Sequence, residues 1–321
     1  MKDSNFNKKI FLLVLLFTLS IFLSLNYGSV KLNLSELFLR ENRIILYLRT
    51  MRILLGIISG AGLATSGVVL QAILKNPLAE PYLLGTSSGA SLGAILGMVL
   101  GGTGLTLPLI AFLGAIFSII LVYQIAKENG HLPVYSLILA GVIVSIVLSG
   151  IIIFIVSIYA DKVIHEAFWW LWGSLSNYNL KLIVLSSFIV IPSIFIIFVF
   201  YRDLDAISIG EEEATHLGIE VEKVKKILFI LVSLITSSIV CISGIIGFVG
   251  LIIPHIIRFS FGPNHKRLIP LSAVSGAVFL VFSDMLARTL IPPLEIPIGV
   301  ITAFLGTPVF IFLLKKRQKV T

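Results

Sequence analysis

The residues of this chain that could do chemistry are few and scattered. Cysteine occurs once, at Cys241 in an apolar run, so no intrachain disulfide can form. No Cys/His cluster offers a metal site, and no GxxxxGK[ST] loop is present to bind and hydrolyse a nucleotide. His165 and Glu166 are an adjacent pair without a motif, and His255 follows a proline in an apolar run, where packing or capping explains it. The charged residues are more informative. Tyr201–Lys226, YRDLDAISIGEEEATHLGIEVEKVKK, is the longest polar interruption, with acids at Asp203, Asp205, Glu211, Glu212, Glu213, Glu220 and Glu222. Gly210 and Gly218 bracket good helix formers whose first-turn acids complement the positive end of a helix dipole. Ala214 and Leu217 fall three apart, on one predicted face. Two short helices joined by a glycine turn read as a platform for another protein; the plainer alternative is a solvated linker. A second cluster is arginine: Arg40, Arg43, Arg49 and Arg52 lie close together between two apolar runs. Arginine binds carboxylates bidentately, so an external partner is one user. Lipid headgroups or pairing with Glu36 and Glu41 are the other.

The elements that must position these residues are membrane spans. The chain has 321 residues, 57% hydrophobic and 12% charged, with mean hydropathy +1.07. A soluble domain carries roughly 25% charged residues, so the solvent for this chain is lipid. Each span needs ~20 apolar residues, and about ten fit into one transmembrane domain covering residues 1–321. The spans are expected at 10–27, 53–70, 82–100, 105–125, 137–159, 180–201, 268–290 and 298–314. Residues 227–261 are too long for one span, have basic flanks, and are expected to cross twice with a turn near Ser243–Gly250. The first apolar run is long for a signal peptide and lacks an Ala-x-Ala site, so it is read as a retained span.

An even number of spans puts both termini on one side. That side holds sixteen of the 24 Lys and Arg residues, so it is expected to be cytoplasmic, together with the loop 202–226. The net charge of +8 lies beside spans, where topology explains it better than a nucleic-acid partner would. Small-residue stretches, SGAGLATSG at Ser59–Gly67 and GTSSGASLGAILG at Gly85–Gly97, predict close helix packing. Ionisable residues are nearly absent from mid-span. Asp284 and Arg288 are four apart on one helix face and are expected to pair. A proton- or sodium-coupled carrier usually needs intramembrane charge or unwound helices, so the energy for transport should come from elsewhere.

Several ordered segments carry a family resemblance. They are LRTMRILLGIISGAGLATSGVVLQAILKNPLAEPYLLGTSSGAS at Leu48–Ser91, ILAGV at Ile138–Val142, FWWLWGSL at Phe168–Leu175, LGIEVEKVK at Leu217–Lys225, and the run from Gly244 to Leu314. Together they resemble permeases of the FecCD/BtuC type, the membrane subunits of binding-protein-dependent ABC importers for iron–siderophores, haem, cobalamin and related metal chelates. The resemblance implies an all-α, polytopic fold with about ten transmembrane helices in the cytoplasmic membrane. It further implies a homodimer, an ABC ATPase dimer below and an extracytoplasmic substrate-binding protein above. The chain itself would be a transporter subunit without catalytic residues or cofactor. Gly210, Glu211, Glu213, Ala214, Thr215, His216, Leu217 and Gly218 match the segment that couples to the ATPase. Arg49, Arg52 and Arg288 match outer arginines that receive carboxylates from the binding protein. Asn76, Pro77 and Leu78, with Pro133 and Val134 in the loop before span five, match an inner gate. That loop, His131-Leu132-Pro133-Val134-Tyr135, lacks the small hydroxyl residues found there in the cobalamin branch. Ser145 and Ser149 on span five are pathway candidates. An iron–siderophore is the first expectation for cargo, with haem or cobalamin next. A stand-alone secondary carrier or channel is the competing reading.

Overall fold

The structure, a computed structural model, describes residues 2–30, 36, 39–128, 130–159, 166–168 and 170–318. In hydrocarbon, backbone N–H and C=O groups must be bonded within the protein, which restricts long apolar runs to helices. The described helices are α1 (Lys2–Asn26), α2 (Arg43–Ile73), α3 (Thr86–Val99), α4 (Thr106–Ala126), α5 (Val134–Ile158) and α6 (Leu180–Val199). They continue with α7 (Tyr201–Ile209), α8 (Glu211–His216), α9 (Val221–Ser243), α10 (Val249–Phe261), α11 (His265–Thr289) and α12 (Ile298–Gln318). Seven helices are long and apolar enough to cross a membrane. Three shorter apolar ones, Thr86–Val99, Val249–Phe261 and Ile298–Ile311, bring the set to the ten expected.

α2 and α9 are buried along most of their length and form the centre, whereas α1 and α5 turn most of their surface outward. Small residues make the central contacts possible. Gly60 of α2 faces Gly276 of α11 so closely that a Cβ on Gly60 would lie 2.2 Å from the Gly276 oxygen. Higher on the same helix, a Cβ on Gly67 would lie 1.8 Å from the Gly250 oxygen of α10. The Ser59–Gly67 stretch therefore works as close-packing surface, as its composition predicts.

Two crossings differ from uninterrupted helices. The span expected to start at Tyr82 opens instead with a 3-10 turn, Pro81–Leu84, and Gly85 in the left-handed region (φ +75°) precedes α3. The region expected to turn near Ser243–Gly250 does so between α9 and α10. α10 has only 13 residues, or about 20 Å at 1.5 Å per residue, against a hydrocarbon core of ~30 Å. The extended segment 244–248 makes up the difference, and such backbone is tolerated at depth only when the protein bonds it. Here it does. The Ile246 N–H donates to Tyr82 Oη (3.1 Å), the Phe248 N–H donates to Glu80 Oε1 (2.7 Å), and the Ser243 carbonyl accepts from Ser174 N (2.8 Å).

The α2–α10 contact gives a direct test. Gly67→Val would force a side chain into the Gly250 carbonyl, with no flexible atom able to move aside. Overpacking of a tight core costs ~1–3 kcal/mol, or more where backbone must shift. The variant should give little monodisperse protein in detergent size-exclusion chromatography, while Gly150→Ala, at a helical position with nothing within 4 Å of the added carbon, should elute much closer to the wild type.

Candidate functional site

The acidic stretch forms two short helices at one end of the bundle, α7 and α8. Gly210 is buried, with extended backbone before α8. Gly218 ends α8 in the left-handed region (φ +84°): Ile219 N donates to Ala214 O at 3.1 Å and Gly218 N to Thr215 O at 2.9 Å. This pair of bonds is a Schellman stop, which an L side chain at position 218 would strain. Glu212, Glu213, Thr215, His216 and Leu217 are exposed, and Leu217 is 71% accessible. Ala214 is 0% accessible and joins the main hydrophobic core. The expectation that Ala214 and Leu217 share a partner-facing side is thus corrected. A six-residue helix anchored by one inward residue presents the residues around it, and Ala214 is that anchor.

Lys225, only 3% accessible, ties this end together. Its Nζ lies 2.7 Å from Glu211 Oε1 on α8 and 3.3 Å from Glu222 Oε1 on α9. The other Glu222 oxygen accepts the Leu132 N–H at 2.9 Å. A single chain of charge-assisted bonds therefore runs from α8 to the loop that opens α5. Pro133 caps α5 and Val134 is its first residue. The other segment expected to gate is an Asx turn in which Leu78 N donates to Asn76 Oδ1 (2.9 Å), with Pro77 between them. It leads into the 3-10 turn Pro81–Leu84, which packs on α5: a Cβ on Gly141 would lie 2.0 Å from the Leu83 oxygen. Ser145 is half-buried beside Gly85, and Ser149 is exposed on the outward face of α5. An apolar cavity of about 1030 Å³ lies along α12 and the 244–248 segment, with Trp172, Phe248, Phe304 and Thr307 in its wall.

At the opposite end the arginines differ from expectation. Helix α2 begins at Arg43, so Arg49 and Arg52 lie inside it and not before it. Arg49, Arg52 and Arg288 are 4%, 5% and 3% accessible. Arg52 contacts Asp284 (Nη2 to Oδ1, 2.8 Å) and Glu295 (Nη1 to Oε2, 2.9 Å), and Asp284 also pairs with Arg288 at 3.2 Å, as the i,i+4 spacing predicts. Arg49 donates to the carbonyls of Leu25, Asn26 (3.1 Å) and Val30 (2.7 Å), and Arg288 donates to Ser24 O (2.7 Å). These cations cap the carbonyl end of α1, where the helix dipole favours positive charge. Their donors are thus used inside the chain, in an internal ion network. Arg40 and Arg43 are the exposed members of the cluster.

Sequence reasoning passed over Glu80. It sits in the turn before α3, its carboxyl holds the Phe248 N–H, and burial pushes its pKa up against that bond. An acid between Ala79 and Pro81, at the edge of apolar sequence, was the available signal. Glu222 and Lys225 are an i,i+3 pair that the spacing offered, whereas the Glu222–Leu132 and Arg52–Glu295 contacts join residues far apart in the chain. His165 and Lys162 lie outside the described residues. Among the described residues no group of three or more His, Cys, Asp or Glu side chains could hold a metal ion.

The comparisons agree with this architecture. The family model described as the FecCD transport family matches residues 14–316. The cobalamin import system permease protein BtuC of Halobacterium salinarum is 38% identical over 279 residues, covering 84% of this chain and 73% of that protein. The hemin transport system permease protein HmuU of Yersinia pestis is 32% identical, covering 96% of this chain and 95% of that one. A solved structure described as an inward-facing conformation of a metal-chelate type ABC transporter superposes with TM-score 0.89 at 31% identity, covering 97% of this chain and 99% of that chain.

The arginine network predicts a stability effect. Removing one partner of a buried ion pair costs ~3–5 kcal/mol, because the other charge is stranded. Arg52→Met leaves Asp284 with Arg288 as its remaining counter-charge and Glu295 without its arginine, and should lower the apparent Tm in detergent. Asp284→Asn, which removes the carboxylate shared by buried Arg52 and Arg288, should lower it further, measured by thermal-shift size-exclusion chromatography.

Proposed function

Because the chain belongs to the FecCD transport family, we propose that it is the permease that carries an iron–siderophore or a related metal chelate inward, driven by ATP hydrolysis in a partner protein. It is a multi-pass membrane protein and a permease subunit of ABC importers for metal chelates; the chain itself is a transporter subunit, not an enzyme. The finer reading rests chiefly on one observation, the bonded path from the exposed face of α8 through Lys225 and Glu222 to Leu132 at the head of α5.

The physical mechanism follows from that path. An ATPase dimer docks on Glu212, Glu213, Thr215, His216 and Leu217, with Gly210 and Gly218 fixing the helix that bears them. Closure of the ATPase moves α8, and the buried lysine passes the movement to α5. The pathway lies between two copies of the chain. Ser149 on α5 and Thr307 on α12 are exposed polar side chains within spans, which face a polar route or a partner more readily than lipid. Ser145, Asn76, Pro77, Leu78, Pro133 and Val134 flank its inner end. The outer face, with exposed Arg40 and Arg43, receives a substrate-binding protein. In this reading the termini and the loop 202–226 are cytoplasmic, which accords with the distribution of Lys and Arg. Cobalamin and hemin are the substrates in the relatives' names. An iron–siderophore remains first choice here because the 131–135 gate loop departs from the cobalamin pattern.

The reading is tested in proteoliposomes containing the permease, its copurifying ATPase and its binding protein, with uptake of a ferric siderophore, haemin and cobalamin followed in parallel. Uptake should require ATP and only one chelate should be saturable. Uptake driven by an imposed ion gradient without ATP would establish the stand-alone carrier instead. Two variants separate the parts of the mechanism. Leu217→Asp should reduce ATPase copurification while the permease stays folded. Lys225→Met should retain the ATPase but lower the ratio of chelate moved to ATP hydrolysed; an unchanged ratio would remove the lysine from the path.

A further inference from the structure

A second site lies at the same end of the bundle as α8 but apart from its exposed face. It is a cavity of about 490 Å³ between the end of α2, α7, α10 and the turn from α10 into α11. Its wall holds Lys75, Arg258, His265, Ser208 and Gln71, and no carboxylate. Lys75 is held at φ +45° after the last turn of α2 and has no ion pair among the described residues. Arg258 donates one hydrogen bond, to Gln71 Oε1 at 3.0 Å, and has no anionic partner among the described residues. A guanidinium has five N–H donors, so most of its capacity is unused.

His265 supplies the independent sign of a ligand. Its ring is 3% accessible. Asp205 Oδ1 lies 2.6 Å from its Nδ1 and also accepts its backbone N–H at 2.8 Å, while Asp205 Oδ2 accepts from Asn264 at 3.2 Å. Asp205 is thereby occupied, and the imidazole is held in one orientation. The opposite nitrogen, Nε2, is buried with no hydrogen-bond partner among the described residues. A buried polar atom without a partner is costly, and the half-buried Arg258 without a counter-charge adds to that cost.

We propose that this cavity binds a phosphate group. Its oxygens would accept from Arg258 and Lys75, and Nε2 of His265 would share a proton with a third oxygen. Arginine presents a planar fork that matches phosphate, and lysine adds a point charge. Two sources offer this chemistry, the headgroup of an anionic phospholipid and free phosphate. Phe259 also lines the cavity and is 61% accessible, which gives it an apolar rim suited to an acyl chain.

The test uses the purified full-length permease and native mass spectrometry, with dioctanoyl-phosphatidylglycerol, dioctanoylglycerol and inorganic phosphate as probes. One saturable phosphatidylglycerol should bind, with dioctanoylglycerol bound about tenfold more weakly because it lacks the phosphate. Lys75→Gln, at an exposed position that leaves the core untouched, should weaken binding about tenfold, and Arg258→Gln should weaken it further. Displacement of the lipid by inorganic phosphate, or phosphate binding alone, identifies a free-phosphate site. Lipid binding that phosphate does not displace identifies a headgroup site. Failure of the wild type to bind either phosphate probe saturably overturns the proposal. So does equal affinity for dioctanoylglycerol, or Lys75→Gln binding as tightly as the wild type.

Discussion

The constraint on which the rest depends is the need to bond every backbone polar group within the hydrocarbon. Most of the chain meets it with helices. The segment Gly244–Phe248 cannot, and two of its N–H groups, those of Ile246 and Phe248, are bonded by Tyr82 and Glu80 from a turn far away in sequence. This couples the broken crossing to the turn that carries Asn76–Leu78. A movement of that turn withdraws partners from backbone that has no water to replace them. The gate segment and the α9–α10 break must therefore move together or not at all.

Charge is distributed unequally between the two ends. At the arginine end, Arg52, Asp284 and Arg288 are all buried, and Arg288, together with Arg49, also caps α1. Such a network has little freedom, since any member that leaves strands the others. In the ion network that ties α8 down, only Lys225 is buried, and its partners Glu211 and Glu222 are about one-third accessible. Water can replace their bonds at modest cost. The end that contacts α8 is the softer one, which suits a surface that receives mechanical input.

How much of this was legible in the sequence depends on the range of each interaction. Spans, glycine contacts and the Asp284–Arg288 pair follow from local periodicity and composition, and the structure reproduces them. The turn between α9 and α10 was readable from the basic flanks of residues 227–261, because topology demanded two crossings. What failed was orientation within an element. Ala214 and Leu217 are three residues apart, yet a six-residue helix ended by Gly218 leaves one inside and the other outside. Arg49 and Arg52 looked external because helix α2 was expected to start after them; it starts ten residues before Ile53, which draws them inward. Glu80, Glu222 and Glu295 act on residues distant in the chain, and no single-sequence pattern carries that information.

The distribution of fixed contacts also determines which helix can move. α2 and α11 meet backbone to backbone at Gly60 and Gly276. They are joined again at one end by Arg52 and Asp284, while α11 is tied to α7 at the other by His265 and Asp205. Close packing of this kind is bistable or rigid, not continuously deformable. α5 meets the Pro81–Leu84 turn backbone to backbone at Gly141, but much of its surface is exposed, and it is not held by a buried ion pair among the described residues. A displacement delivered at α8 therefore meets a fixed core on one side and a loosely held helix on the other. In the proposed mechanism α5 would tilt against the Pro81–Leu84 turn. The Gly141–Leu83 contact would be its fulcrum, because a glycine there brings the helix backbone against the turn without a side chain in the way.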